Sequence, residues 1–313
     1  MRIGIQASYS GGFRETAAEI RDLESAGLDL ATVAEVYTFD AVSQLGYLAA
    51  VTERVELMSG IFPIYSRTPA LTAMTAAGLD FVSDGRFTLG LGAGENLNEH
   101  VVGEGWPPVA VRHEMFAEAV QIIRELLTAD GYTTFHGDHY SVDGGRLWDR
   151  PEGGVPIGIA VSGERSVQLA GEFGDVLIAT EPRPELVQGF DAAGGAGKPR
   201  VAQMPICYDT DRDAAVTRAH ALFRWFGLGW KVNADLPGTA GFAAASQFVR
   251  EEDVAGSIPC GDDVDAVIEA AQAYADAGFT HLALVQIGGD HQQPYLEWTG
   301  KSLMPAWRDA FAG

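Results

Sequence analysis

Short runs of β-branched and aliphatic residues alternate with longer amphipathic stretches along nearly all of the 313-residue chain. This alternation is typical of repeated βα units around a parallel sheet. The candidate strands cover residues 2–7, 30–34, 55–59, 86–91, 156–161, 175–179, 201–208 and 281–287. Eight strands close a barrel, whereas five or six would form an open sheet. The sequence therefore predicts an α/β protein, a (β/α)8 TIM barrel formed by a single domain over residues 1–313.

Two segments do not follow the simple repeat. Residues 131–142 (GYTTFHGDHYSV) have the pattern of a two-strand excursion. Residues 225–260 are too many for an ordinary barrel loop, and they predict an insertion with helices of its own. Long insertions of a barrel enzyme usually lie at the C-terminal face, where they shape access to the site. We therefore expect the insertion segments at that face.

The charge balance limits the possible partners. The net charge is −22, from 43 acidic and 21 basic residues. Such a field repels nucleic acid and anionic membrane surfaces, so we expect a small-molecule partner instead. The two cysteines, Cys207 and Cys260, lack the spacing of a zinc or redox motif and fit a reducing compartment. Without an apparent signal sequence or a long apolar run, the sequence predicts a cytoplasmic protein.

A glycine-punctuated stretch carries the clearest sign of a ligand site. In residues 86–100 (RFTLGLGAGENLNEH), a predicted strand runs directly into a loop. Gly92 and Gly94 there remove side chains that would keep a ligand away from the backbone, and Glu95 stands where the strand ends. The glycine spacing is not that of a dinucleotide-binding fingerprint. His136 and His139 are spaced as a metal pair could be, but alternate hairpin positions need not converge, and we expect no metal.

A family resemblance is carried by seven separated segments, AGLDLATVAE (26–35), LMSGIFPIYSRTPA (57–70), LGLGAGENLNEHVVGEGWP (89–107), GDHYSV (137–142), VPIGIAVSG (155–163), AGEFGD (170–175) and DAGFTHLALVQIG (276–288). These segments resemble the luciferase-like monooxygenase family of flavin and deazaflavin barrels. Within it, the chain is similar to the branch of F420-dependent glucose-6-phosphate dehydrogenases. Because the segments occur in order over almost the whole chain, the resemblance implies a (β/α)8 fold and coenzyme F420, with FMN as the alternative cofactor.

The resemblance also assigns residues to the cofactor. Glu35 corresponds to an acidic residue near the ring system, and Ser59–Gly60 to a non-prolyl cis peptide behind the central ring. The polar face of the cofactor is implied to contact Ala93 and Asn98, beside the glycines Gly92 and Gly94.

A second cofactor segment follows a later strand. The resemblance implies that Ala160, Val161, Ser162 and Gly163 receive the phosphate of the cofactor. These residues precede a predicted helix, and N–H groups at a helix start can bind anions without a lysine. An acidic chain could therefore hold an anionic cofactor.

Glu95 is the predicted catalytic residue. It matches a carboxylate that the family places near the pyrimidine edge of the deazaflavin, where a proton is exchanged along with the hydride. A buried carboxylic acid with a raised pKa suits that task.

Several positions depart from the pattern of sugar-phosphate dehydrogenases. Those enzymes have a histidine base where this chain has Val36, and a tryptophan where it has Asp40. Basic residues that bind the sugar phosphate are missing from the regions that match, which contain Pro205, Ala255 and the pair Gln292–Gln293. These replacements argue against oxidation of a sugar phosphate.

We therefore expect an oxidoreductase that uses reduced F420 to reduce a neutral, fairly apolar small molecule. The substrate is predicted to lie beside Val36, Tyr37, Asp40, Tyr65 and Trp106. Two alternatives stay open at this point: an FMN-dependent luciferase-like monooxygenase, and a deazaflavin-binding protein without turnover. Related barrels often form dimers, so a homodimer is compatible with the sequence.

Overall fold

The computed structural model describes residues 1–7, 12–36, 40–64, 67–101, 103 and 105–311. Within these residues the strands are β1 (Arg2–Gln6), β2 (Leu30–Val33), β3 (Glu56–Ser59), β4 (Phe62–Pro63), β5 (Phe87–Gly92), β6 (Thr133–His136), β7 (Ser141–Gly145), β8 (Ile157–Ala160), β9 (Val176–Ala179), β10 (Arg200–Ile206) and β11 (His281–Gln286). Each of the predicted strands is present, and each end lies within two residues of its predicted position.

A closed parallel barrel is the centre of the fold. Hydrogen-bonded neighbours follow the order β3-β2-β1-β11-β10-β9-β8-β5, and pairing between β3 and β5 closes the circle. The two-residue strand β4 extends this sheet beside the end of β5. The predicted TIM barrel is confirmed for the residues that the structure describes.

Helices connect the strands on the outside of the barrel. They are α1 (Phe13–Ser25), α2 (Ala41–Val51), α3 (Pro69–Val82), α4 (Asn96–Glu99), α5 (Val109–Thr128), α6 (Glu164–Phe173), α7 (Pro184–Phe190), α8 (Arg212–Phe223), α9 (Trp230–Asn233), α10 (Thr239–Ala245), α11 (Glu251–Ala255), α12 (Val264–Asp276), α13 (Gln292–Trp298) and α14 (Met304–Ala310). None of the helices in the described ranges has the length and apolar character needed to cross a lipid bilayer.

Local sequence signals fix the ends of several helices. The side chains of Asp40, Thr68, Asp211 and Asp263 accept hydrogen bonds from N–H groups of the first turns of α2, α3, α8 and α12. These side chains satisfy backbone donors that the helix itself leaves unpaired. Gly27 ends α1 with a φ of 96°, a left-handed conformation that glycine adopts without strain.

The barrel has two separate layers of packing. Its interior is filled by aliphatic side chains that point inward from the strands, including Leu30, Met58, Val176, Ile178 and Val201. The larger core lies between the outer faces of the strands and the helices. Because the interior is packed in this way, a ligand has to bind at the rim of the barrel.

The two predicted excursions are present. Strands β6 and β7 form an antiparallel hairpin. The insertion contains a 3-10 turn (Arg224–Leu228) followed by α9, α10 and α11. Its aromatic side chains pack on each other, with ring centroids 4.2 Å apart for Phe223 and Trp225 and 5.4 Å apart for Trp225 and Phe242. These rings therefore belong to the small core of the insertion.

Candidate active site at the barrel rim

The predicted site residues follow the carboxyl ends of four barrel strands. Glu35 comes after β2, Ser59–Gly60 stands at the end of β3, and Glu95 follows β5. The segment from Ala160 to Gly163 begins with the last residue of β8. Because all barrel strands are parallel, these ends meet at one rim. Separate parts of the sequence are thus brought to the face where barrel enzymes carry their active sites.

Glu95 is a half-buried carboxyl at the start of α4. Burial raises its pKa from the ordinary value of 4.5 to about 7. Its backbone N–H donates a 3.0 Å hydrogen bond to Oε2 of Glu99. Glu99 is 1% exposed, and burial raises its pKa to about 7 as well. A carboxyl with this pKa can give or take a proton near neutral pH, which is what general acid–base catalysis requires.

The insertion closes one side of this corner through Asp235. Its Oδ1 accepts a 2.8 Å hydrogen bond from the indole N–H of Trp106 and lies 3.6 Å from Nη1 of Arg112. The guanidinium carbon of Arg112 is 3.6 Å from the centroid of the Trp106 ring, a stacked cation–π contact. Asn96 also donates to the carbonyl oxygen of Asp235 at 3.0 Å. The insertion is therefore bonded directly to the loop that carries Glu95.

Glu35 is neutralised by an arginine that the sequence analysis did not identify. Nε and Nη2 of Arg67 donate to the two carboxylate oxygens of Glu35, at 3.0 and 3.1 Å. Nη2 of Arg67 also lies 3.4 Å from Asp40 Oδ1. Asp40 caps α2, and its hydrogen bond from the Ser43 hydroxyl is the largest of the effects that lower its pKa. Asp40 is thus held as a carboxylate, which makes it a poor proton acceptor.

The predicted cis peptide between Ser59 and Gly60 is wrong, since the bond is trans. The N–H of Gly60 continues the sheet by donating to the Val33 carbonyl at 2.7 Å. A Cβ at position 60 would lie 2.9 Å from the Cα of Ala34, so close backbone approach explains the glycine. The Ser59 hydroxyl is fully buried and exchanges hydrogen bonds with the backbone of Gly90, which commits it to the sheet.

The loop after β5 keeps its predicted place beside the other rim segments. Gly94 has a φ of 89°, in the region that favours glycine, and Ala93 is half-buried. A Cβ on Gly92 would be 3.3 Å from the Ile61 side chain, a tight contact. Asn98 is 5% exposed and forms part of α4. These residues remain predicted cofactor neighbours.

The segment after β8 forms a turn at the start of α6. Backbone N–H groups of Ser162 and Gly163 both donate to Oγ of Ser166, at 3.1 and 3.2 Å. The two N–H groups converge on one oxygen, as they would on an anion, but an anion would have to displace the Ser166 hydroxyl to use them. Nη1 of Arg183 donates to the Ser162 carbonyl at 3.2 Å, so a partly exposed guanidinium stands beside this turn. Ala160 and Val161 precede it, and the Val161 N–H is bonded to the Ile178 carbonyl.

Besides Asp40, four residues are predicted to lie beside the substrate, and two of them fall within the described part of the chain. Val36 directly follows Glu35 and is half-buried, and Trp106 is half-buried against Arg112. Tyr37 and Tyr65 lie outside the described residues.

The sequence analysis missed Arg67, Glu99, Arg112, Arg183 and Asp235. Of these, Glu99 carried a readable signal, because it stands one helical turn after Glu95 in the quoted ENLNE motif. Arg67, Arg112, Arg183 and Asp235 bond to residues remote in sequence, and their roles emerge only from the fold.

Comparison with known proteins identifies the family to which this chain is similar. The family profile of luciferase-like monooxygenases matches residues 1–281. A protein of Nocardia farcinica named F420-dependent glucose-6-phosphate dehydrogenase is 31% identical, with 98% of each chain covered. One of the same name from Nakamurella multipartita is 30% identical, covering 95% of this chain and 96% of the relative.

Solved structures share the fold. An F420-dependent secondary alcohol dehydrogenase, solved with an F420-acetone adduct, superposes with a TM-score of 0.86 at 24% identity, covering 98% of this chain and 99% of the other. The F420-dependent tetrahydromethanopterin reductase of Methanopyrus kandleri superposes with a TM-score of 0.77 at 19% identity, covering 97% and 99%.

Proposed function

Since the chain belongs to the luciferase-like monooxygenase family, we propose that it is a coenzyme F420-dependent oxidoreductase acting on a small molecule. The observation that carries this proposal is the half-buried Glu95 carboxyl in the loop after β5, whose pKa is raised to about 7. A hydride exchange that also moves a proton requires such a group at the rim of the barrel. When bound, the deazaflavin supplies the hydride donor or acceptor.

The residues at the rim fit an anionic, planar cofactor. At Gly60 and Gly92 a Cβ would crowd Ala34 and Ile61, so these two glycines serve the close packing of the strand ends. At Gly163 a Cβ would meet no atom within 4 Å, which leaves open space beside the turn. Arg183 also stands there, in ion pairs with Glu181 and Glu185 for which a phosphate would compete, and charged hydrogen bonds of this type hold phosphate groups. Glu35 would face the ring as the neutralised partner of Arg67.

The substrate we propose is neutral and fairly apolar. Val36 offers an aliphatic surface and Trp106 an aromatic one. A sugar phosphate would instead require several cations, and Pro205, Ala255 and Gln292 cannot supply them. Gln292 is 2% exposed, so it is also poorly placed to meet a ligand.

The direction we propose is reduction of the substrate. Alcohol oxidation needs a base beside the hydroxyl, and Val36 cannot act as one. Asp40 is a weak substitute because its pKa is lowered by hydrogen bonds and by Arg67. Reduction of the substrate requires only a proton donor from the protein, and the Glu95 carboxyl can hold and release a proton.

Parallel titration of the purified protein with F420 and with FMN tests the proposal. We expect F420 to bind at least tenfold more tightly, which corresponds to about 1.4 kcal/mol. Equal or tighter binding of FMN would favour a monooxygenase that uses reduced FMN and oxygen. Tight F420 binding without turnover of any substrate would favour a carrier or sensor. A panel of enones, imines and ketones with reduced F420 distinguishes a reductase from a carrier or sensor that binds F420 without turnover.

A further inference from the structure

The ring of Trp106 is held at the rim of the barrel by two residues from different segments. On its face, the guanidinium carbon of Arg112, on α5, lies 3.6 Å from the ring centroid. At its edge, the indole N–H donates a 2.8 Å hydrogen bond to Oδ1 of Asp235, in the insertion. A face contact and an edge contact together leave an indole little freedom to rotate. The orientation of this half-buried ring is therefore set by Arg112 and Asp235.

The carboxylate of Asp235 serves both of these neighbours. Its Oδ1 also lies 3.6 Å from Nη1 of Arg112, whose side chain is 10% exposed. In the described part of the chain, Asp235 is the acidic residue that forms an ion pair with Arg112. The Asp235 side chain itself is 66% exposed, so the carboxylate stays hydrated while it binds two less exposed groups. Its loss would leave a largely buried cation without an ionic partner, which is unfavourable.

The main chain of the same segment binds the loop that carries Glu95. The carbonyl oxygen of Ala234 accepts a 3.0 Å hydrogen bond from the N–H of Asn96, and that of Asp235 accepts one of 3.0 Å from Nδ2 of Asn96. Asn96 directly follows Glu95 and begins α4. Asp235 thus binds the predicted substrate neighbour Trp106 through its side chain, and the neighbour of Glu95 through its main chain.

We propose that Asp235 is a positioning residue for substrate binding, which acts by fixing the Trp106 ring as an aromatic wall of the substrate site. This inference rests on the proposed function, because it takes Trp106 as a neighbour of a neutral, fairly apolar substrate. A wall that is ordered in the free protein binds such a substrate more tightly, because less freedom is lost on binding. A change of the Asp235 side chain leaves the main-chain contacts to Asn96 in place. It should therefore weaken substrate binding while the chemical step changes little.

The contact itself is tested in the full chain without ligand, by nuclear magnetic resonance of the ¹⁵N-labelled tryptophan indole groups. Trp106→Phe assigns the Trp106 indole N–H signal, because that variant lacks it. We expect this signal to shift strongly in Asp235→Ala and less in Asp235→Asn, whose amide oxygen can still accept the hydrogen bond. Glu251→Ala, at an exposed acidic residue of α11 in the same insertion, is the matched control and should leave the signal unchanged. An unshifted signal in Asp235→Ala would overturn the proposal.

The positioning role is tested with reduced F420 and a substrate taken from the panel of enones, imines and ketones. We expect Asp235→Ala to raise KM about tenfold, as for the loss of a hydrogen bond to a charged group, with kcat changed less than about twofold. Asp235→Asn should raise KM by less, and Glu251→Ala should leave it unchanged. On a Trp106→Phe background, Asp235→Ala should raise KM by much less than in wild type, because the hydrogen bond is already absent. If Asp235→Ala does not fold, Asp235→Asn decides both measurements.

The outcomes separate this inference from the proposed function. A shifted indole signal with an unchanged KM, or a fall in kcat as large as the rise in KM, would exclude the positioning role and leave the F420-dependent reaction intact. Equal effects of Asp235→Ala in the wild-type and Trp106→Phe backgrounds would show that Asp235 does not act through Trp106. If no compound of the panel is turned over, the proposed function fails and the substrate role fails with it. The indole signal then still decides whether Asp235 holds Trp106.

Discussion

Arg67 and Glu35 form a two-pronged ion pair at the rim of the barrel. Nε of Arg67 donates to Oε1 of Glu35 at 3.0 Å, and Nη2 donates to Oε2 at 3.1 Å. The side chains are 20% and 10% exposed, so both charges are largely removed from water. The geometry matches the planar fork of a guanidinium to a carboxylate, which an ammonium group cannot reproduce. The pair joins the end of β2 to the segment before α3.

Replacing Arg67 should destabilise the protein more than an average surface change. Arg67→Met leaves the Glu35 carboxylate buried without its partner, and we expect a loss of about 3 kcal/mol in the free energy of unfolding. Arg67→Met/Glu35→Gln should recover most of that loss, because no unpaired charge remains. Urea unfolding of the three proteins measures the effect. Equal destabilisation of the single and double variants would show that packing, and not the charge, matters here.

Glu24 gives a pH-dependent contribution to stability. It is 6% exposed, and its carboxylate accepts hydrogen bonds from the N–H groups of Glu53, Arg54 and Val55. Burial raises the pKa of Glu24, but the hydrogen bonds together lower it by more, so the pKa lies below the ordinary value of 4.5. A carboxyl whose pKa is lower in the folded than in the unfolded protein stabilises the fold at a pH above its unfolded-state pKa. That stabilisation is lost as the pH falls through its folded-state pKa.

We therefore expect Glu24→Gln to lower the free energy of unfolding by about 1–3 kcal/mol at pH 7. The difference from wild type should shrink as the pH falls below the unfolded pKa of about 4.5, and it should vanish once Glu24 is protonated in the folded protein as well. Unfolding curves at a series of pH values provide the measurement. A difference that stays constant down to pH 3 would rule out an electrostatic origin.

Arg183 should contribute to cofactor affinity. We expect Arg183→Ala to weaken F420 binding about tenfold, since a charged hydrogen bond to a phosphate contributes about 1.5–3 kcal/mol. Added salt should reduce the difference between wild type and variant. The matched control is Arg21→Ala, an exposed arginine of α1 paired with Asp22. Unchanged F420 affinity in Arg183→Ala would remove this residue from the phosphate site.

The barrel could be predicted because its signal is local. Each strand reads as a short buried run, and the order of strands and helices is enough to indicate closure. Strand β4, Phe62–Pro63, escaped prediction because two residues have no periodicity and proline is uncommon in strands. The site was predictable only in part. Glu95 stands at a strand end, but Arg67 and Asp235 act through contacts between segments far apart in sequence.

The Ser59–Gly60 bond shows how an inference from resemblance can fail. At the cis bond that the resemblance implies, a glycine would serve to relieve crowding across the bond. In the structure it is required because the backbone of Ala34 lies within 2.9 Å of the missing Cβ, while the bond itself is trans. Both explanations use the small size of glycine, and only the three-dimensional neighbours distinguish them.

Glucose 6-phosphate should not be turned over, although the relatives from Nocardia farcinica and Nakamurella multipartita are named for that activity. A dianionic phosphate needs charged partners, and the regions that the resemblance matches to the phosphate-binding residues contain Pro205, Ala255 and Gln292. We expect no measurable F420 reduction at millimolar substrate, with one of those relatives assayed in parallel as the positive control. Robust reduction by this protein would show that other residues bind the phosphate.

The proposed direction of the reaction is tested at Glu95 and Val36. Glu95→Gln removes the ionisable group at the end of β5 and should slow turnover in both directions by about 10²–10⁴-fold, the usual contribution of a positioned acid or base. Val36→His introduces a base where alcohol oxidation would require one, so it should raise any trace of that activity while leaving F420 affinity unchanged. Val36→Leu is the matched control, because it fills the same half-buried position without a titratable group. The measurement is a panel of alcohols with oxidised F420, and of enones, imines and ketones with reduced F420. Faster alcohol oxidation than reduction by the wild-type protein would show that another group accepts the proton.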